Sequence, residues 1–183
     1  MANVLGYTTM NSPIGPLLLA STEEGLCYIQ FEDEQSGLGP LQRWCKKTFL
    51  GVTPERNDAR NEAVKKQLLE YFAGVRKEFD LPFVLYGTPF QKSVWNALTD
   101  IPYGETRSYK DIALAIGASK AVRAIGGANN RNPIPIVIPC HRVIGSNGAL
   151  VGYGGGLPIK EHLLSLEGVP LQIQTSFDQV IRF

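Results

Sequence analysis

The sequence predicts two domains: an α/β N-terminal domain with a small antiparallel sheet over residues 1–85, and a mainly α C-terminal domain containing a helix-turn-helix over residues 86–183. Three observations predict this arrangement. Short β-branched and apolar segments occupy the start of the chain, helices with clear start signals follow residue 86, and the connector LPFVLYG separates the two regions. With 183 residues, 44% of them hydrophobic, the chain can bury a substantial core.

The N-terminal elements follow from hydrophobic spacing and turn signals. The segments VLGYTTM, PLLLAS and LCYIQFE are divided by NSPIG and TEEG, which predicts three antiparallel strands. Helical spacing predicts helices from Leu41 to Leu50 and from Asn61 to Phe72, with Gly74 ending the second. No candidate acids, bases or ligands cluster here, so we interpret this region as a scaffold. The apolar connector is expected to pack rather than swing.

The C-terminal helices carry explicit capping signals. Thr88 and Gln91 form a capping box around Pro89, predicting a helix from Pro89 to about Thr99. Ser108 and Asp111 form a second capping box, which predicts a helix that ends at Gly117. Ser119 is predicted to cap the next helix, KAVRAIGGANN. Two helices across a tight turn fit a helix-turn-helix, although an ordinary helical bundle also contains such pairs.

Charge is balanced overall but unevenly distributed. Residues 1–100 hold 10 basic and 12 acidic side chains, whereas residues 101–168 hold 7 and 4. Between Ile112 and Lys160 no Asp or Glu occurs, and the basic residues there are Lys120, Arg123, Arg131, Arg142 and Lys160. A local positive field of this kind suits a phosphate backbone, although five surface charges can also be coincidental.

Several classes of protein are disfavoured. No apolar run approaches the roughly 18 residues of a membrane-spanning helix, and the first residues lack a signal-peptide pattern, so we expect a soluble, cytoplasmic protein. The three cysteines Cys27, Cys45 and Cys140 are widely spaced, which argues against a disulfide framework and for a reducing compartment. With two histidines in the chain, we expect no metal site.

The segment NPIPIVIPCHRVIGSNG contains the residues best suited to chemistry. Cys140 ends a proline-punctuated apolar run that forms a rigid, buried approach, and His141 and Arg142 could favour its thiolate. A buried cysteine acting only as a small hydrophobe is the competing interpretation. The following VGYGGGLP could admit a flat ligand beside Tyr153 or form a surface turn. A helix is predicted from Leu157 to Glu167, where Glu167 could orient a histidine.

These blocks together resemble a known family. IPCHRVIG, preceded by RAIGGANNRNPIPIV and followed by GYGGGLPIKEHLLSLEG, closely resembles the signature of the O6-alkylguanine-DNA alkyltransferases, also called methylated-DNA-protein-cysteine methyltransferases. The resemblance is strong over residues 86–168 and looser over the N-terminal part, where SPIGPL and LLEYFAG are similar to the family. It implies irreversible, stoichiometric transfer of an alkyl group from O6-alkylguanine, and O4-alkylthymine, to a cysteine, without a cofactor.

The resemblance also assigns catalytic roles. Cys140 corresponds to the alkyl acceptor, His141 to its base acting through a water, and Glu167 to the partner that orients the histidine. Asn132 is similar to the family asparagine that braces the active-site turn. Tyr109 is similar to the tyrosine that crowds the target phosphate, promotes base rotation and could donate a hydrogen bond to the leaving guanine.

The same resemblance implies a DNA surface and a base pocket. Arg123 corresponds to an arginine that fills the gap left by an extruded guanine, on a helix whose small residues enter the minor groove. The implied DNA-contacting residues are Arg123, Tyr109, Lys120, Ala121, Ala124, Gly126 and Arg131, with Gly127 and Ala128 beside them. The implied pocket residues are Val143, Tyr153, Gly154, Gly155 and Pro135.

The chain departs from the family pattern at two positions. His162 stands where many relatives have Trp, which we expect to alter core packing, and Gly154 replaces a Ser seen in some members. The second difference bears on tolerance of bulky alkyl groups. Some relatives carry an N-terminal zinc site, but no histidine precedes His141 here.

Two other functions and a scaffold role compete with repair. A lesion sensor would use the same fold without an acceptor cysteine, and a cysteine hydrolase would turn over without DNA. The resemblance implies double-stranded DNA containing alkylated guanine as the partner of a monomer; cooperation along DNA, and packing of the apolar C-terminal tail on the body, are left open.

Overall fold

The first part of the chain forms a four-stranded mixed sheet in the computed structural model, which describes residues 4–171. The strands are β1 (Gly6–Met10), β2 (Leu17–Thr22), β3 (Gly25–Gln30) and β4 (Glu55–Arg56), in the order β3-β2-β1-β4. The first three strands pair antiparallel as predicted, but β4 pairs with β1 in parallel. The predicted antiparallel sheet of three strands is confirmed, and the short β4 adds to it in parallel because the long connection after β3 crosses the sheet and returns the chain in the same direction as β1.

Helix α1 (Glu34–Thr48) makes this crossover and begins well before the predicted start at Leu41. Asp33 caps it by accepting a backbone N–H of the first turn. Gly37 is buried against the sheet, where an added Cβ would lie 2.8 Å from a leucine side chain of β2. Tertiary packing thus overrides the helix-breaking signals of Gly37 and Pro40, which the local pattern weighs against a helix.

Helix α2 (Glu62–Phe72) confirms the predicted second helix and follows a short 3₁₀ turn at Ala59–Asn61. The connector after it packs along the free edge of β3. Leu26 of β3 donates its N–H to Pro82 at 3.0 Å and accepts from Val84 at 2.9 Å. The expectation that this apolar connector packs is confirmed, because it extends the sheet edge.

The C-terminal region contains four helices: α3 (Pro89–Thr99), α4 (Tyr109–Ala115), α5 (Val122–Asn130) and α6 (Leu157–Leu166). Both predicted capping boxes are present, one with Thr88 and Gln91 and one with Ser108 and Asp111. The glycines predicted to follow α2, α4 and α6 all have positive φ. The capping residues therefore located these helices from local sequence alone.

The start of α5 differs from the prediction. Its N-cap is Ala121, which makes no side-chain capping hydrogen bond, so the assignment of Ser119 as the cap is wrong. The residues after α4 are held in turns instead: Ala118 donates to Ala113 at 2.8 Å, and Ala121 donates to Ala118 at 2.8 Å. α4 and α5 form a closely packed pair, and their assignment as a helix-turn-helix stays a prediction.

The segment before Cys140 is a buried loop rather than a strand. Ile134, Ile136 and Ile138 are all buried, with a single bridge between Pro135 and Ile138. Ile136 has φ 75°, a conformation that β-branched residues rarely adopt and that costs roughly 1–3 kcal/mol. Beyond this loop, two-residue strands β5 (Arg107–Ser108) and β6 (Val143–Ile144) pair in parallel.

One hydrophobic cluster extends from the sheet to the acceptor loop. It includes Leu19 and Leu26 of the sheet, Leu68 of α2, Trp95 of α3 and Cys140. The two regions of the chain therefore share a core although the sequence suggests a boundary between them. Across residues 4–171, no helix is long and apolar enough to cross a membrane. The C-terminal tail, whose packing on the body the sequence leaves open, spans residues 169–183, and its residues 172–183 lie outside the described residues.

Candidate active site and candidate nucleic-acid interface

Cys140 lies at the inner end of a small pocket formed by both regions of the chain. Cys140 is the first residue of a 3₁₀ turn, Cys140–Arg142, and only 4% of its surface is exposed. The pocket has a volume of about 140 Å³ and is lined by Ile29, Gln30, Phe31, Asn129, Asn130, Asn132, Pro135, Cys140, Tyr153, Gly154 and Gly155. Four of the five predicted pocket residues line this pocket: Pro135, Tyr153, Gly154 and Gly155. Val143 is buried behind them and lies outside the lining.

Two asparagines hold the loop that presents the thiol. Asn132 donates from Nδ2 to the Ile138 carbonyl at 2.8 Å and accepts from the Ile134 N–H at 3.0 Å. Asn129 of α5 donates to the Cys140 carbonyl at 3.4 Å. The position of Asn132 matches the predicted bracing role, and the sequence analysis did not single out Asn129.

His141 and Glu167 form the buried pair that the resemblance implies. The His141 Nε2 lies 2.6 Å from Glu167 Oε2, and both side chains are fully buried. Because a carboxylate only accepts, Nε2 carries the proton and Nδ1 holds the free lone pair. Nδ1 has no hydrogen-bond partner among the described residues, so it is available to a water or to a proton from the thiol.

Glu167 receives further donors that the sequence analysis missed. Arg142 donates from Nε to Oε1 at 2.7 Å and from Nη2 to Oε2 at 3.2 Å. The Tyr71 hydroxyl, from the N-terminal region, donates at 2.5 Å, and the Gly104 N–H donates at 3.3 Å. Burial raises the pKa of Glu167, but the hydrogen bonds and charges of His141 and Arg142 outweigh it and lower the pKa to about 2.

The resting site holds a thiol beside a neutral imidazole. Burial raises the pKa of Cys140 to about 11, while the nearby polar groups of Asn132 and Tyr153 and the charge of Lys160 act in the opposite direction. Burial also lowers the pKa of His141 below its ordinary 6.5, against the influence of Glu167. The thiolate therefore has to form during the reaction, by proton transfer to a base.

Lys160 is buried beneath the pocket, and the sequence analysis placed it on the surface. Its Nζ donates to the carbonyls of Val143 at 2.5 Å, Val151 at 3.1 Å and Gly152 at 3.2 Å. Burial lowers its pKa to about 8. Lys160 therefore joins the strand after Cys140 to the glycine-rich loop, and its buried charge acts to lower the pKa of Cys140.

The predicted positive field is smaller than the sequence suggests. Lys160 and Arg142 are buried, and Arg142 pairs with Glu167, so neither offers a free charge to a phosphate. The remaining cations of that stretch are exposed: Lys120 just before α5, Arg123 within it and Arg131 just after its end. A linear count of charges cannot separate these two groups, because burial depends on contacts with distant elements.

α5 presents small residues as well as Arg123. Ala124 and Gly127 are exposed, Ala121 and Gly126 are half-buried, and Ala128 is buried and accepts a hydrogen bond from Trp95. Ala128 is therefore a core residue and not part of the predicted small surface. Tyr109, at the start of α4, packs near Gly126 and donates its hydroxyl to the Val151 carbonyl at 3.0 Å.

Two further expectations concern His162 and metals. His162 is exposed on α6, so the expectation that it alters core packing is wrong: this face of the helix points away from the core. In the described part of the chain, no three His, Cys, Asp or Glu residues are grouped so that they could hold a metal ion.

Comparison with known proteins agrees with this geometry. The profile of the 6-O-methylguanine DNA methyltransferase DNA-binding domain matches residues 89–169, and that of the ribonuclease-like domain of the same proteins matches residues 5–85. The chain belongs to the 6-O-methylguanine DNA methyltransferase family. The family resemblance found in the sequence is thereby confirmed.

Relatives of this methyltransferase family match over nearly their whole length. A methylated-DNA--protein-cysteine methyltransferase of Methanosarcina acetivorans is 52% identical, covering 88% of this chain and 97% of the relative. The constitutive enzyme of that name from Bacillus subtilis is 47% identical, covering 89% and 95%. The crystal structure of Mycobacterium tuberculosis OGT in complex with DNA superposes with a TM-score of 0.75 at 46% identity, covering 88% of this chain and 92% of that one.

Proposed function

We propose that this protein repairs DNA directly by transferring the alkyl group of O6-alkylguanine, and of O4-alkylthymine, to the sulfur of Cys140. The observation that carries the proposal is a pocket into which the loop braced by Asn132 presents Cys140, with the buried His141–Glu167 pair beginning at the next residue. The names of the relatives support the same chemistry. The protein acts as a monomer on double-stranded DNA, in a reducing, cytoplasmic setting.

The damaged base leaves the duplex before it reacts. An O6 atom inside a stacked duplex cannot reach a buried sulfur, so the nucleotide rotates into the pocket at a cost of a few kcal/mol. Arg123, exposed on α5, occupies the gap left in the stack, and Ala124 and Gly127 beside it allow close approach to the minor groove. Tyr109 crowds the phosphate and favours the rotation. Lys120 and Arg131 bind the flanking backbone.

The transfer is a displacement at the alkyl carbon. His141 takes the thiol proton at Nδ1 through a water while Glu167 keeps its negative charge and holds Nε2. The sulfur then forms a bond to the alkyl carbon as the bond from that carbon to O6 breaks, and the electron pair leaves with guanine. A hydrogen bond from Tyr109 stabilises the negative charge that develops on the base, and the proton that His141 took returns through water to the departing guanine, which leaves neutral.

The product is a thioether that this site cannot hydrolyse. The carbon–sulfur bond has no adjacent activated leaving group, so the cysteine is not regenerated and each molecule reacts once. The reaction needs no cofactor, because the thiol supplies the nucleophile and guanine is the leaving group.

The test is intact and peptide mass spectrometry after mixing the protein with excess duplex that carries one methylated guanine. We expect one added methyl group on Cys140, reaching one per molecule, while the DNA is restored. The Cys140→Ala variant, which keeps the DNA surface, binds the duplex without modification. An unmodified Cys140 with tight binding would instead indicate a lesion sensor, and repeated turnover without DNA would indicate a hydrolase.

A further inference from the structure

The pocket in front of Cys140 is small, and part of its wall comes from the N-terminal sheet. Its volume of about 140 Å³ lies well below the roughly 300–1,000 Å³ of sites for drug-sized ligands. Ile29, Gln30 and Phe31, at the end of β3, line it together with the acceptor loop and the glycine-rich loop. The space for an alkyl group therefore depends on a region that the sequence analysis treated as a scaffold.

Phe31 is held in place from two sides. The end of β3 is joined to the acceptor loop by a hydrogen bond from the Ile29 N–H to the Pro133 carbonyl, 2.8 Å long. The Phe31 ring packs on the Tyr153 ring, with centroids 5.9 Å apart at 53°. The strand that ends at Gln30 and the Tyr153 ring therefore position the Phe31 ring in the pocket wall.

Gly155 and Phe31 share one space. A Cβ added at Gly155 would lie 2.8 Å from both Cδ2 and Cε2 of the Phe31 ring, closer than carbon atoms approach each other. The phenyl ring thus fills the space that a side chain at position 155 would occupy. These two positions, distant in sequence, together set the width of the pocket.

Among the lining residues, Phe31 has the largest side chain without a polar atom. Asn129 and Asn132 hold the acceptor loop by hydrogen bonds, and the hydroxyl of Tyr153 is buried near the thiol. The Phe31 side chain has no polar atom, so it contributes volume and apolar contact alone. We infer that Phe31 is a specificity residue that limits the size of the alkyl group transferred to Cys140; this inference rests on the proposed alkyl transfer.

The experiment compares two lesions in one reaction. Full-length wild-type protein and the Phe31→Ala variant each react with an equimolar mixture of duplexes of one sequence, carrying O6-methylguanine or O6-benzylguanine. Mass spectrometry of the Cys140 peptide gives the benzyl-to-methyl ratio. We expect Phe31→Ala to raise this ratio by about tenfold or more, since a hydrophobic pocket discriminates by that order when its size changes. An unchanged or lower ratio would overturn the inference.

Because both lesions compete for the same protein, weaker folding or weaker DNA binding lowers both transfer reactions equally and leaves the benzyl-to-methyl ratio unchanged. Phe49→Ala is the matched control, because it removes the same side chain from the other N-terminal core cluster, outside the pocket. It should leave the ratio unchanged. If Phe31→Ala does not fold, Phe31→Leu keeps an apolar core while removing the ring, and should shift the ratio in the same direction.

A second pair of variants tests the shared space directly. Gly155→Ala should slow transfer from both lesions, because its Cβ displaces the Phe31 ring into the pocket, and Phe31→Ala added to it should restore transfer. Failure of that rescue would count against the inference. Absence of any methyl transfer by the wild type would instead refute the proposed function, so the two failures are distinct.

Discussion

Glu167 carries a full negative charge in the interior, and its neighbours explain why the charge is tolerated. Arg142 supplies two charge-assisted hydrogen bonds, and Tyr71, Gly104 and His141 provide the other donors. The free-energy cost of removing a carboxylate from water is offset only when its lone pairs accept hydrogen bonds in this way. The same residue therefore fixes the tautomer of His141 and ties the end of α6 to α2.

We expect Glu167→Gln to lower the free energy of unfolding by about 3 kcal/mol, since it leaves Arg142 buried without its charge partner. Urea denaturation at pH 7 measures the change. Because the pKa of Glu167 is lowered from 4.5 to about 2, its stabilisation is complete above pH 4.5 and is lost as the pH falls toward 2. The difference in the free energy of unfolding between Glu167→Gln and the wild type should therefore become smaller as the pH falls from 4.5 toward 2.

Glu161→Gln is the control for this substitution, because it removes the same charge from the exposed face of the same helix. Its effect should be within about 0.5 kcal/mol. Equal losses from the two variants would mean that the buried pair contributes no more than a surface charge.

His141 and Cys140 predict the pH dependence of the reaction. Because burial lowers the pKa of His141, the single-turnover transfer rate should be constant near neutral pH and fall only below pH 6.5, as protonation removes the base. The His141→Gln variant has no such base, so its slower rate should rise with pH toward the Cys140 pKa of about 11. Quenched-reaction rates between pH 5 and pH 9 measure both. A wild-type rate that rises throughout this range would contradict the role of His141.

The helices position these side chains through packing that local signals only partly describe. α5 buries Ile125 and Ala128 against α3 and leaves Arg123 exposed, so one short helix both completes the core and presents the residue proposed to enter DNA. Trp95 of α3 donates to the Ala128 carbonyl at 2.8 Å and fixes the register of the two helices. The position of Arg123 relative to the pocket therefore depends on the α3–α5 contact.

Arg123→Ala should separate base extrusion from chemistry. We expect transfer from duplex DNA to slow by about tenfold or more, since the cost of extrusion is a few kcal/mol, while transfer from free O6-benzylguanine changes little. Parallel rate measurements on the two substrates provide the test. Lys46→Ala, which removes an exposed cation from α1, is the control and should affect neither rate. An equal decrease in the transfer rate from duplex DNA and from free O6-benzylguanine would contradict the proposed role of Arg123.

The whole molecule is nearly neutral, so its affinity for DNA depends on where the cations lie. Lys120, Arg123 and Arg131 are exposed around α5, while Arg142 and Lys160 are buried. The chain as a whole has a formal net charge of +1. We therefore expect DNA binding to depend on the local field of these three cations rather than on the net charge.

We expect DNA affinity to fall linearly with the logarithm of salt concentration, because phosphate contacts release counterions. Lys120→Ala should reduce that slope by about one, as expected for one lost phosphate contact. Lys160→Met should leave the slope unchanged, since that ammonium group is buried on three carbonyls. Fluorescence anisotropy with a labelled duplex measures the slopes, and a reduced slope for Lys160→Met would contradict its buried assignment.

Local patterns in the sequence identified much of the fold and the centre of the site. Capping boxes located α3 and α4, hydrophobic spacing located α2, and the PCHRV block with its neighbours indicated the family and Cys140. These features can be predicted from the sequence because caps, hydrophobic periodicity and motifs involve residues only a few positions apart. The proposed roles of Tyr109 and Arg123 rest on the same motif and stay predictions.

Contacts between distant residues were decided by the tertiary structure alone. Tyr71 donates a hydrogen bond to Glu167, and Lys160 donates one to the Val143 carbonyl. The ring of Phe31 packs on that of Tyr153. α1 begins at Glu34 because its glycine packs on the sheet, against its local propensity. In each case the free energy comes from burying or satisfying groups on elements far apart along the chain, and no local pattern records which elements meet.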